Sequence, residues 1–143
     1  AEHIGSVAEA GDTIILSGDL GAGKTTLTKG IALGLGITQM IKSPTYTIIR
    51  EYQTGRLPLY HMDVYRIEAS AEDLALDEYF EGDGLSVVEW GQLLGEFLPA
   101  DYLEITLEKD PADLEKREAV LQASGPKAEA FLKRIQQRLE EVK

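Results

Sequence analysis

Eight residues near the start of the chain carry a pattern suited to holding a phosphate. Gly18-Asp19-Leu20-Gly21-Ala22-Gly23-Lys24-Thr25 matches G-x-x-x-x-G-K-[ST] at every fixed position. Glycines at 18, 21 and 23 leave no Cβ in the way, so successive backbone N–H groups can curl around an anion. A helix beginning here adds the positive end of its dipole. Lys24 brings a full charge to the β- and γ-phosphates, and Thr25 offers a hydroxyl to Mg²⁺. Thr26 stands one position on, within reach of an α-phosphate. Asp19, Leu20, Gly21, Ala22, Gly23, Lys24, Thr25 and Thr26 are therefore the expected nucleotide-binding residues. The bland alternative is a glycine-rich turn that happens to end in Lys-Thr. No Asn/Thr-Lys-x-Asp sequence is present to read guanine, which favours ATP over GTP.

A magnesium site needs a second acid, placed in such proteins at the end of a neighbouring buried strand. Two residues qualify. Glu89 ends Leu85-Ser86-Val87-Val88, and Asp63 ends Leu59-Tyr60-His61-Met62. A buried strand-end carboxylate is costly unless a cation pairs with it, so both invite a functional reading, against the alternative of a carboxylate capping the next loop. The residues alone leave open which acid touches the metal and which positions water. Thr45, in Ser43-Pro44-Thr45-Tyr46-Thr47, lies where switch-type enzymes sense the γ-phosphate. His61 shares a strand face with Asp63, and a packed, hydrogen-bonded role suits it better than catalysis. Trp90 is expected in the core.

These groups need elements to hold them. Ile4, Val7 and Ala8 recur at helical spacing before Gly11-Asp12. Thr13 to Ser17 is a short β-branched, apolar run, read as a buried strand. Leu27, Ile31 and Leu35 mark one face of a helix ending near Gly34 and Gly36. Residues 45–52 and 57–65 read as a hairpin around Gln53-Thr54-Gly55-Arg56. Ser70 caps a short acidic helix running to Phe80, and Leu85 to Trp90 is a second buried strand. Tyr102 to Glu108 and Glu118 to Ala123 alternate like half-buried strands. Pro126 opens a final amphipathic helix with Phe131, Ile135 and Leu139 on one stripe. The whole reads as one α/β domain over residues 1–143. The first residue is Ala and the chain opens straight into helical pattern, as a trimmed or processed terminus would.

Composition removes several alternatives. The 143 residues include no cysteine, which excludes a disulfide scaffold, a thiolate zinc site and a cysteine nucleophile. Two histidines make a histidine-built zinc site improbable. No apolar run approaches the ~18 residues of a membrane span, so no membrane role and a cytoplasmic location are expected. The net charge is −11, and residues 63–101 hold eleven acids against Arg66 alone. Such a chain is repelled by nucleic acid. The acidic stretch is either a solvated face or a docking surface for a basic partner.

Four segments together carry a resemblance: the phosphate loop through Thr26, Lys42-Ser43-Pro44-Thr45-Tyr46-Thr47, His61-Met62-Asp63-Val64-Tyr65-Arg66 and Val88-Glu89-Trp90. In this order and spacing they closely resemble the TsaE family, also called YjeE, of small bacterial ATPases. The resemblance spans roughly residues 5–108. It implies a nucleotide-binding mixed sheet of the P-loop type, with a parallel centre, antiparallel edge strands and flanking helices. It implies Mg²⁺-dependent ATP hydrolysis, slow without partners, in the making of threonylcarbamoyladenosine in tRNA. The ATPase would join TsaD and TsaB and reset the transferase between turnovers, with tRNA gripped by the partners. Carried over by position, Lys24 and Thr25 hold phosphate and Mg²⁺, Glu89 resembles the metal-side acid, Asp63 a second required acid, and Thr45 the switch residue. Family members usually have a further N-terminal segment, expected to supply an edge strand. A small-molecule kinase is one competing reading, weakened by the lack of an arginine-bearing lid. A nucleotide-gated adaptor with only slow hydrolysis is the other.

Overall fold

A computed structural model of the chain describes residues 2–18, 24–37, 49–53, 55–63, 79–80, 82–89, 99, 101–110 and 113–141. Its six strands are β1 (Thr13–Gly18), β2 (Ile49–Tyr52), β3 (Leu59–Asp63), β4 (Leu85–Glu89), β5 (Tyr102–Asp110) and β6 (Asp113–Ser124). They form a single sheet in the order β2-β3-β4-β1-β5-β6. β3, β4, β1 and β5 run parallel, while β2 and β6 pair antiparallel at the two edges. That is the mixed sheet expected from the sequence.

Burial explains why these residues chose these places. Ile14, Ile15 and Leu16 of β1 are all buried, and so is every residue of β4. A strand covered on both faces needs an apolar run without alternation, and central parallel strands are of that kind. In β5, Leu103, Ile105 and Leu107 are buried while Tyr102, Glu104 and Thr106 are half-buried. Its alternation suits a strand with one dry face.

The longer helices among the described residues are α1 (Glu2–Val7), α2 (Lys24–Gly34) and α3 (Pro126–Glu141). All three cover one face, where Ile4, Ile31, Ala32, Leu35, Phe131 and Ile135 pack on Ile14, Leu16, Leu59, Val87, Leu103 and Ile105. α1 lies close on α2, because a Cβ at Gly5 would run into the Ile31 carbonyl. On the opposite face Ile15, Met62 and Val88 are buried. There Tyr79 sets its ring edge-on to Tyr60, 5.0 Å between centroids, and its carbonyl accepts from the Ser86 hydroxyl.

Three expectations need correcting. β5 and β6 do not stop near Glu108 and Glu118, because the ladder continues through Lys109↔Arg117 to Asp110↔Asp113, with a register shift at Lys109/Asp110. Backbone pairing needs no apolar side chain, so charged residues prolong a hairpin that the alternation ends. Leu139 is 44% exposed and off the buried stripe, which instead consists of Ala128, Phe131 and Ile135. The first hairpin has a longer turn than read: residues 57 and 58 belong to the turn, and β3 begins at Leu59.

At the amino edge of the sheet, polar groups tie the two ends of the chain together. Asp12, just before β1, accepts from the Glu9 N–H at 2.7 Å and pairs with Arg134 Nη2 of α3 at 2.7 Å. Arg134 Nε donates to the Val7 carbonyl, and Arg56 donates to the Gly5 and Ala8 carbonyls. These are the carbonyls that a helix C-terminus leaves without partners. Burial pushes the Asp12 carboxyl above the ordinary value of 3.8, against the pull of the Glu9 N–H and of the Arg134 and Lys127 charges.

Candidate functional site

The parallel strands bring the two candidate acids to the same edge. β3 and β4 pair with Asp63 opposite Glu89, and β4 and β1 pair with Glu89 opposite Leu16. The end of β1 at Gly18, the end of β4 at Glu89 and the end of β3 at Asp63 are therefore consecutive along the carboxyl edge. α2 begins at Lys24, so the backbone passes from the end of β1 to a helix N-terminus within five intervening residues. In open parallel sheets this edge is where ligands bind.

Register also settles the faces. Residues opposite each other in a ladder share a face, and residues two apart on a strand share it too. Asp63, His61 and Leu59 of β3 thus stand on the same face as Glu89 and Val87 of β4 and as Leu16 and Ile14 of β1. That face carries α2, the helix that opens at the phosphate loop.

Glu89 is only 6% exposed, and its nearest polar companion is His61, itself fully buried. His61 Nε2 lies 2.8 Å from Glu89 Oε2. Where Glu89 is a carboxylate its oxygen only accepts, and Nε2 is then the donor of this bond. The other ring nitrogen, Nδ1, is buried without a hydrogen-bond partner among the described residues. Arg50 of β2 stands opposite His61, and its Nε is likewise buried without a partner. The expectation that His61 would be packed and hydrogen-bonded is met, and its partner is one of the candidate metal acids. Sequence reasoning did not join the two. The available signal was an ionisable residue two positions before a strand-end acid, inside an otherwise apolar run.

The remaining expected residues are only partly within view. Lys24, Thr25 and Thr26 form the first positions of α2, and Asp63 is the last of β3, each placed here by its backbone. Asp19, Leu20, Gly21, Ala22, Gly23, Thr45 and Trp90 lie outside the described residues, as does most of the acidic stretch from 64 to 100. Among the described residues no group of three or more His, Cys, Asp or Glu could cage a metal. That excludes a closed all-protein cage there, but not magnesium, which uses one or two carboxylates and completes its shell with water and substrate phosphates. No helix among the described residues is long and apolar enough to cross a membrane.

Comparison with known proteins agrees with this geometry. The family described as threonylcarbamoyl adenosine biosynthesis protein TsaE matches residues 1–119. A Bacillus subtilis protein named tRNA threonylcarbamoyladenosine biosynthesis protein TsaE is 50% identical over 135 residues, covering 94% of this chain and 84% of its own length. The protein of the same name from Treponema pallidum is 47% identical over 107 residues, covering 73% of this chain and 78% of its own length. In three dimensions the chain is similar to the crystal structure of Bacillus subtilis YdiB, with a TM-score of 0.83 and 44% identity over 95% of this chain and 84% of that one. With a family match across most of its length, and with Asp63 and Glu89 in register at the ends of β3 and β4, the chain belongs to the TsaE family.

Proposed function

We propose that this chain binds ATP with Mg²⁺ at the carboxyl edge of its parallel strands and hydrolyses it, as the ATPase component of the machinery that makes threonylcarbamoyladenosine in tRNA. The observation that carries the reading is the alignment of Gly18, Glu89 and Asp63 on neighbouring strand ends, with α2 starting at Lys24. Backbone N–H groups of residues 19–23 and the N-terminus of α2 would receive the phosphates. Lys24 would neutralise charge on the β- and γ-phosphates, and Thr26 would reach the α-phosphate. Thr25 and Glu89 would hold the metal, with Asp63 beside them to orient the attacking water, and Thr45 would report the γ-phosphate. The donor set suits magnesium, because hydroxyl and carboxylate oxygens are hard ligands. When bound, the ion supplies electrostatic stabilisation of charge on the transferring phosphoryl group.

The charge of −11 supports a division of labour in which tRNA is held by partners rather than by this chain. TsaD and TsaB are the partners we propose, with hydrolysis resetting their transferase between turnovers. The test is ATP hydrolysis by the chain alone, then with TsaD and TsaB, for the native chain and for Lys24→Ala. Slow hydrolysis alone, a rise with partners and none with Lys24→Ala are expected. Native-rate hydrolysis by Lys24→Ala would sink the phosphate-site reading. No rise with partners would leave a nucleotide-gated adaptor as the better account.

A further inference from the structure

The His61–Glu89 contact is built at a cost that packing does not explain. His61 occupies the core face of β3, in register with Val87 of β4 and two residues from Leu59, all fully buried. An apolar side chain would fill that position without stripping an imidazole of water. Among the described residues the ring makes one hydrogen bond, to Glu89 Oε2 at 2.8 Å, and its second nitrogen has no partner. An imidazole kept in a core for a single bond to a strand-end acid is well placed to aim that acid.

We infer that His61 is a positioning residue for Glu89. This rests on the reading of Glu89 as the metal-side acid. A free glutamate samples several rotamers, and ordering it at the moment of metal binding weakens that binding. With Oε2 held by Nε2–H, the carboxylate is ordered beforehand, and Oε1 is the oxygen kept for the cation. Hydrogen-bond partners of metal ligands act in this way, and losing one typically weakens metal affinity or activity about 10–100-fold.

The test uses the full chain with His61→Phe, which keeps a ring but removes the donor, and His61→Gln, whose amide can restore an N–H. Two quantities are read: nucleotide affinity without metal, and the Mg²⁺ concentration that half-saturates nucleotide binding. For His61→Phe we expect unchanged metal-free affinity and a Mg²⁺ requirement raised about 10–100-fold, with part of the loss recovered by His61→Gln. An unchanged Mg²⁺ requirement in a folded His61→Phe chain overturns the positioning role. Glu89→Gln separates the two readings. If it leaves the Mg²⁺ requirement unchanged, Glu89 is not the metal-side acid and the inference falls with it. If it raises the Mg²⁺ requirement while His61→Phe does nothing, only the inference falls. Should His61→Phe fail to fold, the native chain labelled with ¹⁵N-histidine decides, because it has just two histidines. The signals of His61 should move when Mg²⁺ joins the bound nucleotide. Signals indifferent to Mg²⁺ overturn the inference.

Discussion

Two buried acids stand at opposite edges of the same sheet, and their surroundings differ in kind. Asp12, at the amino edge, has a backbone N–H and a guanidinium on one oxygen, both at 2.7 Å. Glu89, at the carboxyl edge, has the single N–H of a histidine among the described contacts. Asp12 is closed on itself: its charge is answered from within the chain, by a residue 122 positions away. Among the described residues no lysine or arginine is paired with Glu89. A carboxylate already matched to a cation holds the fold, whereas one matched only to a hydrogen-bond donor keeps capacity for a cation from outside.

The contrast can be broken by removing each acid's role in turn. The largest effect is expected for Glu89→Gln, which keeps the shape and removes the charge. Hydrolysis with partners should fall by ~10²-fold or more. The melting temperature without nucleotide should hold or rise, because a buried charge is gone. A clear fall in melting temperature with hydrolysis intact would make Glu89 a structural acid like Asp12.

Arg134→Ala should behave in the opposite way. It strands the Asp12 carboxylate and two interactions with the α1 end, so we expect a loss of about 3 kcal/mol, roughly 10 °C in melting temperature. Nucleotide affinity of the folded chain should be unchanged. Weakened nucleotide binding with full stability would reverse the assignment of the two edges.

The smallest effect is a pH dependence. Burial raises the Asp12 carboxyl above 3.8 in the folded chain, so between that value and the raised one the folded state binds more protons than the unfolded state. Asp12's contribution to stability therefore declines as pH rises through this window. Melting curves of the native chain and Asp12→Asn between about pH 3 and about pH 7 should drift in the variant's favour, then run parallel. Drift the other way would mean that pairing with Arg134 outweighs burial.

The two edges were not equally legible in the sequence. The Gly18–Thr25 motif is contiguous, so it can be recognised along the chain, and β1 and β4 announce themselves as unbroken apolar runs. The hairpin of β2 and β3 follows from its turn residues. The His61–Glu89 bond joins residues 28 positions apart and depends on a parallel register that no local pattern encodes. Asp12 and Arg134 are further apart still, and nothing in either neighbourhood names the other. The extended ladder between Lys109 and Arg117 was hidden for a different reason. Its backbone pairs without the apolar alternation that betrays a strand.

Arg56 and Arg134 bear on how the molecule opens as well as on how it holds. α1 is six residues long, too short to persist on its own hydrogen bonds. Its carbonyls are held by one guanidinium from the β2–β3 turn and one from α3. Amide protection in α1 therefore depends on groups elsewhere in the chain, and undocking of α3 removes one of its two guanidinium ties. Helices at opposite ends of the sequence are thereby coupled in their exchange with solvent, while the amides of β4, buried along its whole length, are expected to exchange last.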